Sequence, residues 1–186
     1  MKKSNLGNLL TAACVLAAVA IVGYKAVAGG ADEGRSAVKV GQAAPTFQVK
    51  AVDGKAINFP GDYKGKVVLL DFWATWCPPC RAEIPNVAAT YAKYHDQGFE
   101  IVSVSLDRAN SGETLAKFVS EHQMTWPQIY DASGKSAVAK QYGVRAIPCP
   151  VLVDGDTGKI IATEDGALGE NLTKTLETAL AGKVKK

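Results

Sequence analysis

Val67-Val68-Leu69-Leu70-Asp71-Phe72-Trp73-Ala74-Thr75-Trp76-Cys77-Pro78-Pro79-Cys80 joins an apolar run to a Cys-x-x-Cys pair. Its first seven residues form a short apolar run, β-branched at the start and preceded by Lys64-Gly65-Lys66. That pattern predicts a buried central strand. A helical pattern follows from Arg81 to about Gln97, with Pro85 expected to kink it. The Cys-x-x-Cys pair between them has two main uses, metal binding and redox exchange. Zinc sites usually need two such pairs, or one pair plus histidines. His95 and His122 are not spaced as ligands. Redox use needs a thiol at a helix N-terminus, where the dipole and free N–H groups stabilise a thiolate. The order strand, Cys77, helix supplies that setting, so Cys77 and Cys80 are read as a redox-active dithiol.

Upstream of this stretch, Phe47 to Phe59 carries apolar positions around Asp53-Gly54, a hairpin turn signal. Glu100 to Leu106 predicts a second buried strand, and Gly112 to His122 a helix. Trp126 to Tyr130 reads as a short extended piece and Ala137 to Tyr142 as a short helix. Val151 to Asp154 and Lys159 to Ala162 are strands joined by a tight turn. Asn171 to Leu180 closes the chain with an amphipathic helix. Strands alternating with helices argue for an α/β layer fold. The tight turn makes the last edge antiparallel, so the sheet is expected to be mixed.

Residues 1–28 read as an export signal: Lys2 and Lys3, an apolar run from Leu9 to Val22, then Ala26-Val27-Ala28. The rival is an uncleaved membrane anchor. The apolar run is shorter than the roughly 20 residues a spanning helix needs, which favours cleavage. Lys25, just before the small residues, weakens that case. Either way the domain lies outside the cytoplasm, because the positive residues precede the apolar run. Residues 29–37 are read as a linker and 38–182 as the folded domain.

Hydrophobic residues make up 47% and charged residues 21%, ordinary values for a globular domain. Lys2, Lys3 and Lys25 account for the whole formal net charge of +3, and no acidic residue precedes Asp32. The balanced remainder offers no footprint for nucleic acid. The chain has four cysteines, and Cys14 lies inside the apolar leader. Three thiols in the domain point to chemistry rather than to a disulfide scaffold.

Val67 through Pro85, together with Tyr142-Gly143-Val144-Arg145-Ala146-Ile147-Pro148 and the strand ending at Asp154, resembles the thioredoxin superfamily. Within it, the chain is similar to the exported TlpA/ResA/DsbE-type thiol:disulfide oxidoreductases. The resemblance implies a thioredoxin-like fold: a central mixed β-sheet flanked by helices, an N-terminal β-hairpin and a central βα insert from about Gly98 to Tyr130. It implies that Cys77, the more exposed, attacks, and that the more buried Cys80 resolves the mixed disulfide. Pro148 is expected to be a cis proline facing the dithiol, against the alternative of a trans turn proline. Trp76, Pro78, Ile147 and Pro148 are the expected substrate-docking residues.

Asp71 stands where thioredoxin has a buried acid, a departure from many TlpA-like members. Burial would raise its pKa and suit it to relay a proton to or from Cys80. The alternative is an ion pair with a lysine such as Lys66. Glu83 is read as a first-turn helix stabiliser. Pro78 and Pro79 lack N–H groups, which removes two donors from the Cys77 thiolate and predicts a reducing couple.

Cys149, where relatives often carry Thr, has three readings: a small buried residue, a third redox thiol, or a soft-metal ligand with Cys77 and Cys80. No cofactor and no resident metal are expected. The implied partners are protein disulfide substrates and a membrane thiol reductase as electron donor, with the protein acting as a monomer. Alternatives are a disulfide oxidase or isomerase and a non-catalytic or soft-metal-binding module. A peroxiredoxin is disfavoured because Leu70 and Ala74 occupy the places of the Pro and Thr or Ser that a peroxidatic cysteine needs.

Overall fold

The computed structural model describes residues 34–184. A hairpin comes first, β1 (Phe47–Lys50) paired antiparallel with β2 (Ala56–Phe59) as a separate two-stranded sheet. Gly54 takes φ 84° in its turn, a conformation glycine adopts without Cβ strain. The main sheet has five strands: β3 (Val67–Trp73), β4 (Phe99–Ser105), β5 (Gln128–Tyr130), β6 (Cys149–Asp154) and β7 (Lys159–Thr163). Their order is β5-β4-β3-β6-β7, with β3 at the centre. β3, β4 and β5 run parallel, while β6 and β7 pair antiparallel. The sheet is therefore mixed, and the fold is thioredoxin-like.

Parallel neighbours need a crossover. α1 (Pro78–Tyr94) connects β3 to β4, and α2 (Gly112–Glu121) connects β4 to β5. The stretch expected as an insert thus divides. β4 pairs with β3 along its full length and belongs to the sheet's centre, while α2 and β5 extend its edge. α3 (Ala137–Gln141) and α4 (Gly169–Val184) complete the helices. Gly155, in the β6–β7 turn, passes close to the segment that leads into β3. A Cβ there would sit 1.9 Å from the Tyr63 carbonyl oxygen.

Strand alternation divides the core. Leu69 and Trp73 face α1 and α4, packing with Ile84, Leu172 and Leu176. Val68, Leu70 and Phe72 face the hairpin and α3, packing with Phe59 and Tyr142. Each of these large side chains contributes about 1.5–3 kcal/mol by leaving water. Asp71 falls between Leu70 and Phe72, so its parity puts it on the α1 side.

Two expectations change. α1 begins at Pro78 rather than Arg81, because proline at the first helical positions needs no N–H partner there. Pro85 lies inside this helix, as expected. Residues 34–37, assigned to the linker, belong to the folded domain. Ser36 is buried, the Ala37 N–H donates to the Tyr142 carbonyl at 3.1 Å, and the Arg145 N–H donates to the Arg35 carbonyl at 2.8 Å. The leader assigned to residues 1–28 lies outside the described residues. No helix among the described residues is long and apolar enough to cross a membrane.

Candidate active site

The site grows from the C-terminal end of β3. Ala74 to Trp76 form a short loop, and Cys77 caps α1. Asp107, just past β4, holds that loop. Its carboxylate accepts from the Thr75 hydroxyl at 2.6 Å, the Thr75 N–H at 3.2 Å and the Ser105 hydroxyl at 2.7 Å. Sequence reading missed Asp107. The available signal was an acid directly after a central parallel strand, at the sheet end where sites collect.

Cys77 and Cys80 form a disulfide, with sulfurs 2.07 Å and Cα atoms 5.3 Å apart. The expected contrast in exposure is absent from this oxidised pair: Cys77 is 3% exposed and Cys80 4%. Packing of Cys77 at the helix start, under the loop, covers it as fully as its partner. The two sulfurs differ instead in their neighbours. Cys77 Sγ accepts the Cys80 N–H at 3.3 Å, the first donor available after two prolines. Cys80 faces inward to a small cavity.

That cavity, of about 10 Å³, is at the lower limit for one water. Its walls include Asp71, Cys80, Glu83, Trp126, Pro148 and Leu168. Asp71 has no hydrogen bond or ion pair among the described residues. Lys66, its alternative partner, pairs with Glu100 at 2.9 Å. Burial, and then the charge of Glu83, push the Asp71 carboxyl up to about 7. An acid tuned near neutrality beside a thiol is suited to move a proton in either direction.

Glu83 has a different place from the one expected. It lies beyond the first turn of α1, which holds no acidic residue. Its Oε1 accepts the Gly169 N–H at 2.7 Å and the Asn86 amide at 2.6 Å, tying α1 to the start of α4. It also supplies the charge that acts on Asp71.

Trp76 is 56% exposed beside the disulfide, and Pro78 is exposed at the helix start. Ile147 and Pro148 are half-buried, and the bond between them is cis. Cys149 departs from the three-sulfur reading. It opens β6 opposite Phe72 and packs with Phe72, Val151 and Tyr142 on the hairpin side of the sheet. Cys77 and Cys80 belong to the cluster on the other side. Cys149 is fully buried, and burial foremost raises its thiol to about 11, although a hydrogen bond to Ser36 opposes the shift. This placement fits neither a third redox thiol nor a three-sulfur metal site. It fits a small buried residue.

The AhpC/TSA family matches residues 40–163. The chain belongs to this family. Among AhpC/TSA proteins it is similar to thiol-disulfide oxidoreductases. One, ResA of Bacillus thuringiensis subsp. konkukian, is 37% identical over 67% of this chain and 68% of its own. ResA of Oceanobacillus iheyensis is 34% identical over 90% of this chain and 85% of its own. Among solved structures, the thioredoxin domain of a thiol-disulfide oxidoreductase from Bacteroides vulgatus is 32% identical. It superposes with a TM-score of 0.67, covering 77% of this chain and 99% of that one. A thiol:disulfide interchange protein described as DsbE, from Chlorobium tepidum, is 32% identical with a TM-score of 0.66, over 77% of this chain and 99% of that one. This AhpC/TSA chain is thus a thiol:disulfide oxidoreductase, and the Cys77–Cys80 pair fits its redox centre.

Proposed function

We propose that the protein reduces disulfides of other proteins outside the cytoplasm and is itself re-reduced by a membrane thiol reductase. In the reduced enzyme, the Cys77 thiolate attacks one sulfur of a substrate disulfide. A mixed disulfide forms, and the substrate's other sulfur leaves with the electron pair. Cys80 then passes its proton to Asp71 and attacks Cys77 Sγ. The substrate's second thiolate departs, leaving Cys77–Cys80 oxidised and the substrate reduced by two electrons. A donor dithiol runs the same exchange in reverse.

The observation that carries this reading is the shared cavity of Asp71 and Cys80 behind the disulfide. It gives the resolving thiol a base tuned near neutral pH. The helix start favours the reducing direction. Pro78 and Pro79 donate no hydrogen bonds, so the Cys80 N–H alone reaches Cys77 Sγ. A thiolate with few donors is less stable, and its disulfide correspondingly more so. Trp76, Pro78, Ile147 and Pro148 form the docking surface, offering an exposed ring and half-buried apolar neighbours beside the sulfurs. The leader pattern of residues 1–28 supports export.

Insulin reduction with a dithiol donor tests the activity. The wild-type protein should precipitate the insulin B chain, and Cys77→Ser should not. Cys80→Ala should accumulate mixed disulfides with substrates through Cys77. Full activity in Cys77→Ser would refute the assignment.

A further inference from the structure

Arginine occurs at four positions, Arg35, Arg81, Arg108 and Arg145, and every other one of the 21 cationic side chains is a lysine. All four arginines stand at the dithiol end of the domain. Arg81 directly follows Cys80 in α1. Arg108 directly follows Asp107, the residue that holds Thr75. Arg145 lies three residues before Pro148, and its N–H bonds to Arg35. The lysines that form ion pairs, such as Lys66, Lys93 and Lys183, do so with acids elsewhere on the domain.

Arg35 is engaged: its guanidinium meets Asp165 at 3.6 Å. The other three are exposed and have no carboxylate within ion-pair distance among the described residues. Arg81 rests over the Phe118 ring, 5.7 Å from its centroid, which steadies the group without using its N–H donors. Several acids of the neighbouring elements have other partners. Asp107 is taken by Thr75 and Ser105, Glu83 by Gly169 and Asn86, and Glu164 by the Arg35 N–H. Asp131 accepts from Ser133.

We infer that Arg81, Arg108 and Arg145 form a rim that selects protein disulfides flanked by aspartate or glutamate. The inference rests on the oxidoreductase reading and names its substrate class. A guanidinium offers a planar fork that matches a carboxylate with two parallel hydrogen bonds, which an ammonium cannot do. Three such forks at the end of the domain that also carries the exposed Trp76 ring reward an acidic segment carrying an apolar residue. The same forks repel a basic segment, so the rim acts on both sides of the discrimination. Exposed charges of this kind act mainly through association rate and partner choice.

Three peptides test the rim, each with the same internal disulfide and differing only in flanking residues: Glu, Ser or Lys. Their reduction by the dithiol form of the full chain is followed by stopped flow at low and at physiological salt. The Glu peptide should react on the order of tenfold faster than the Lys peptide at low salt. Added salt should shrink that ratio. In R108Q/R145Q the Glu-to-Lys ratio should fall toward one. The flanking charge alters the peptide's own thiols equally for both proteins, so comparing the two ratios isolates the rim. A ratio near one in the wild type, or an undiminished ratio in R108Q/R145Q, overturns the inference. Failure to reduce even the Ser peptide overturns the oxidoreductase reading beneath it, whereas reduction of the Ser peptide without a Glu preference overturns the rim alone.

Discussion

Asp71 on β3 and Cys80 on α1 face the same cavity of about 10 Å³, with no lysine or arginine between them to hold the carboxylate ionised. The relationship follows from strand parity, which sends Asp71 to the face that α1 covers, and from the three-residue spacing that puts Cys80 one turn into that helix. It makes the acid a cost to the fold and, in the mechanism proposed above, an asset to the exchange reaction.

The cost has a definite pH signature. Burial, with the charge of Glu83, holds the native Asp71 carboxyl at about 7, against 3.8 for a free aspartate. Between those values the native state keeps a proton that the unfolded chain has lost. Stability therefore falls as pH rises from about 4 to about 7 and levels off above that. Asp71→Asn should remove that fall and be more stable than wild type at pH 8, by on the order of 2–4 kcal/mol. Urea unfolding of the oxidised proteins across that range measures it, and parallel wild-type and variant curves would contradict it. In the reduced proteins, the pH profile of thiol alkylation should also differ between the two.

Glu83 provides a second handle on the same acid. Glu83→Gln keeps an acceptor for the Gly169 N–H but removes the charge that raises Asp71. The stability transition should then move to lower pH. Glu83→Ala should do the same and also lose the tie between α1 and α4, at a cost of about 1–3 kcal/mol for the unsatisfied N–H. A transition that stays in place in Glu83→Gln would remove Glu83 from the account.

Cys149 should behave as packing. Its place on the hairpin side of the sheet, full burial and raised thiol keep it from reacting. Mass spectrometry of the oxidised protein should find no Cys149-linked disulfide. Cys149→Ala should retain insulin reduction while losing about 1 kcal/mol of stability to the small void. A Cys149-linked species at appreciable yield would restore the three-sulfur reading.

Features carried by contiguous residues were readable from the chain. β3, Cys77 and Cys80 sit within one stretch, where period and spacing suffice, while the burial of Asp71 was implied by the resemblance. Features that depend on distant partners were not. Glu83 meets Gly169, 86 positions away, and no local pattern announces that contact. Residues 34–37 look like a linker because they are polar and Gly-containing, yet their backbone pairs with Tyr142 and Arg145. Cys149 shares parity with Val151 and Val153 in β6. Which face that parity meets depends on the pairing of Cys149 with Phe72, and the sequence does not show that register. The exposure of Cys77 was inferred by resemblance and differs in the oxidised pair because the loop and helix start cover both sulfurs.

The reduction potential of the Cys77–Cys80 couple separates a protein that reduces disulfides from one that makes them. Equilibration of the full chain with glutathione or dithiothreitol buffers, read by trapping free thiols, supplies it. The proline-lined helix start predicts a reducing value, close to that of thioredoxin at roughly −270 mV. A value near that of DsbA, roughly −120 mV, would contradict it and make the protein an oxidant.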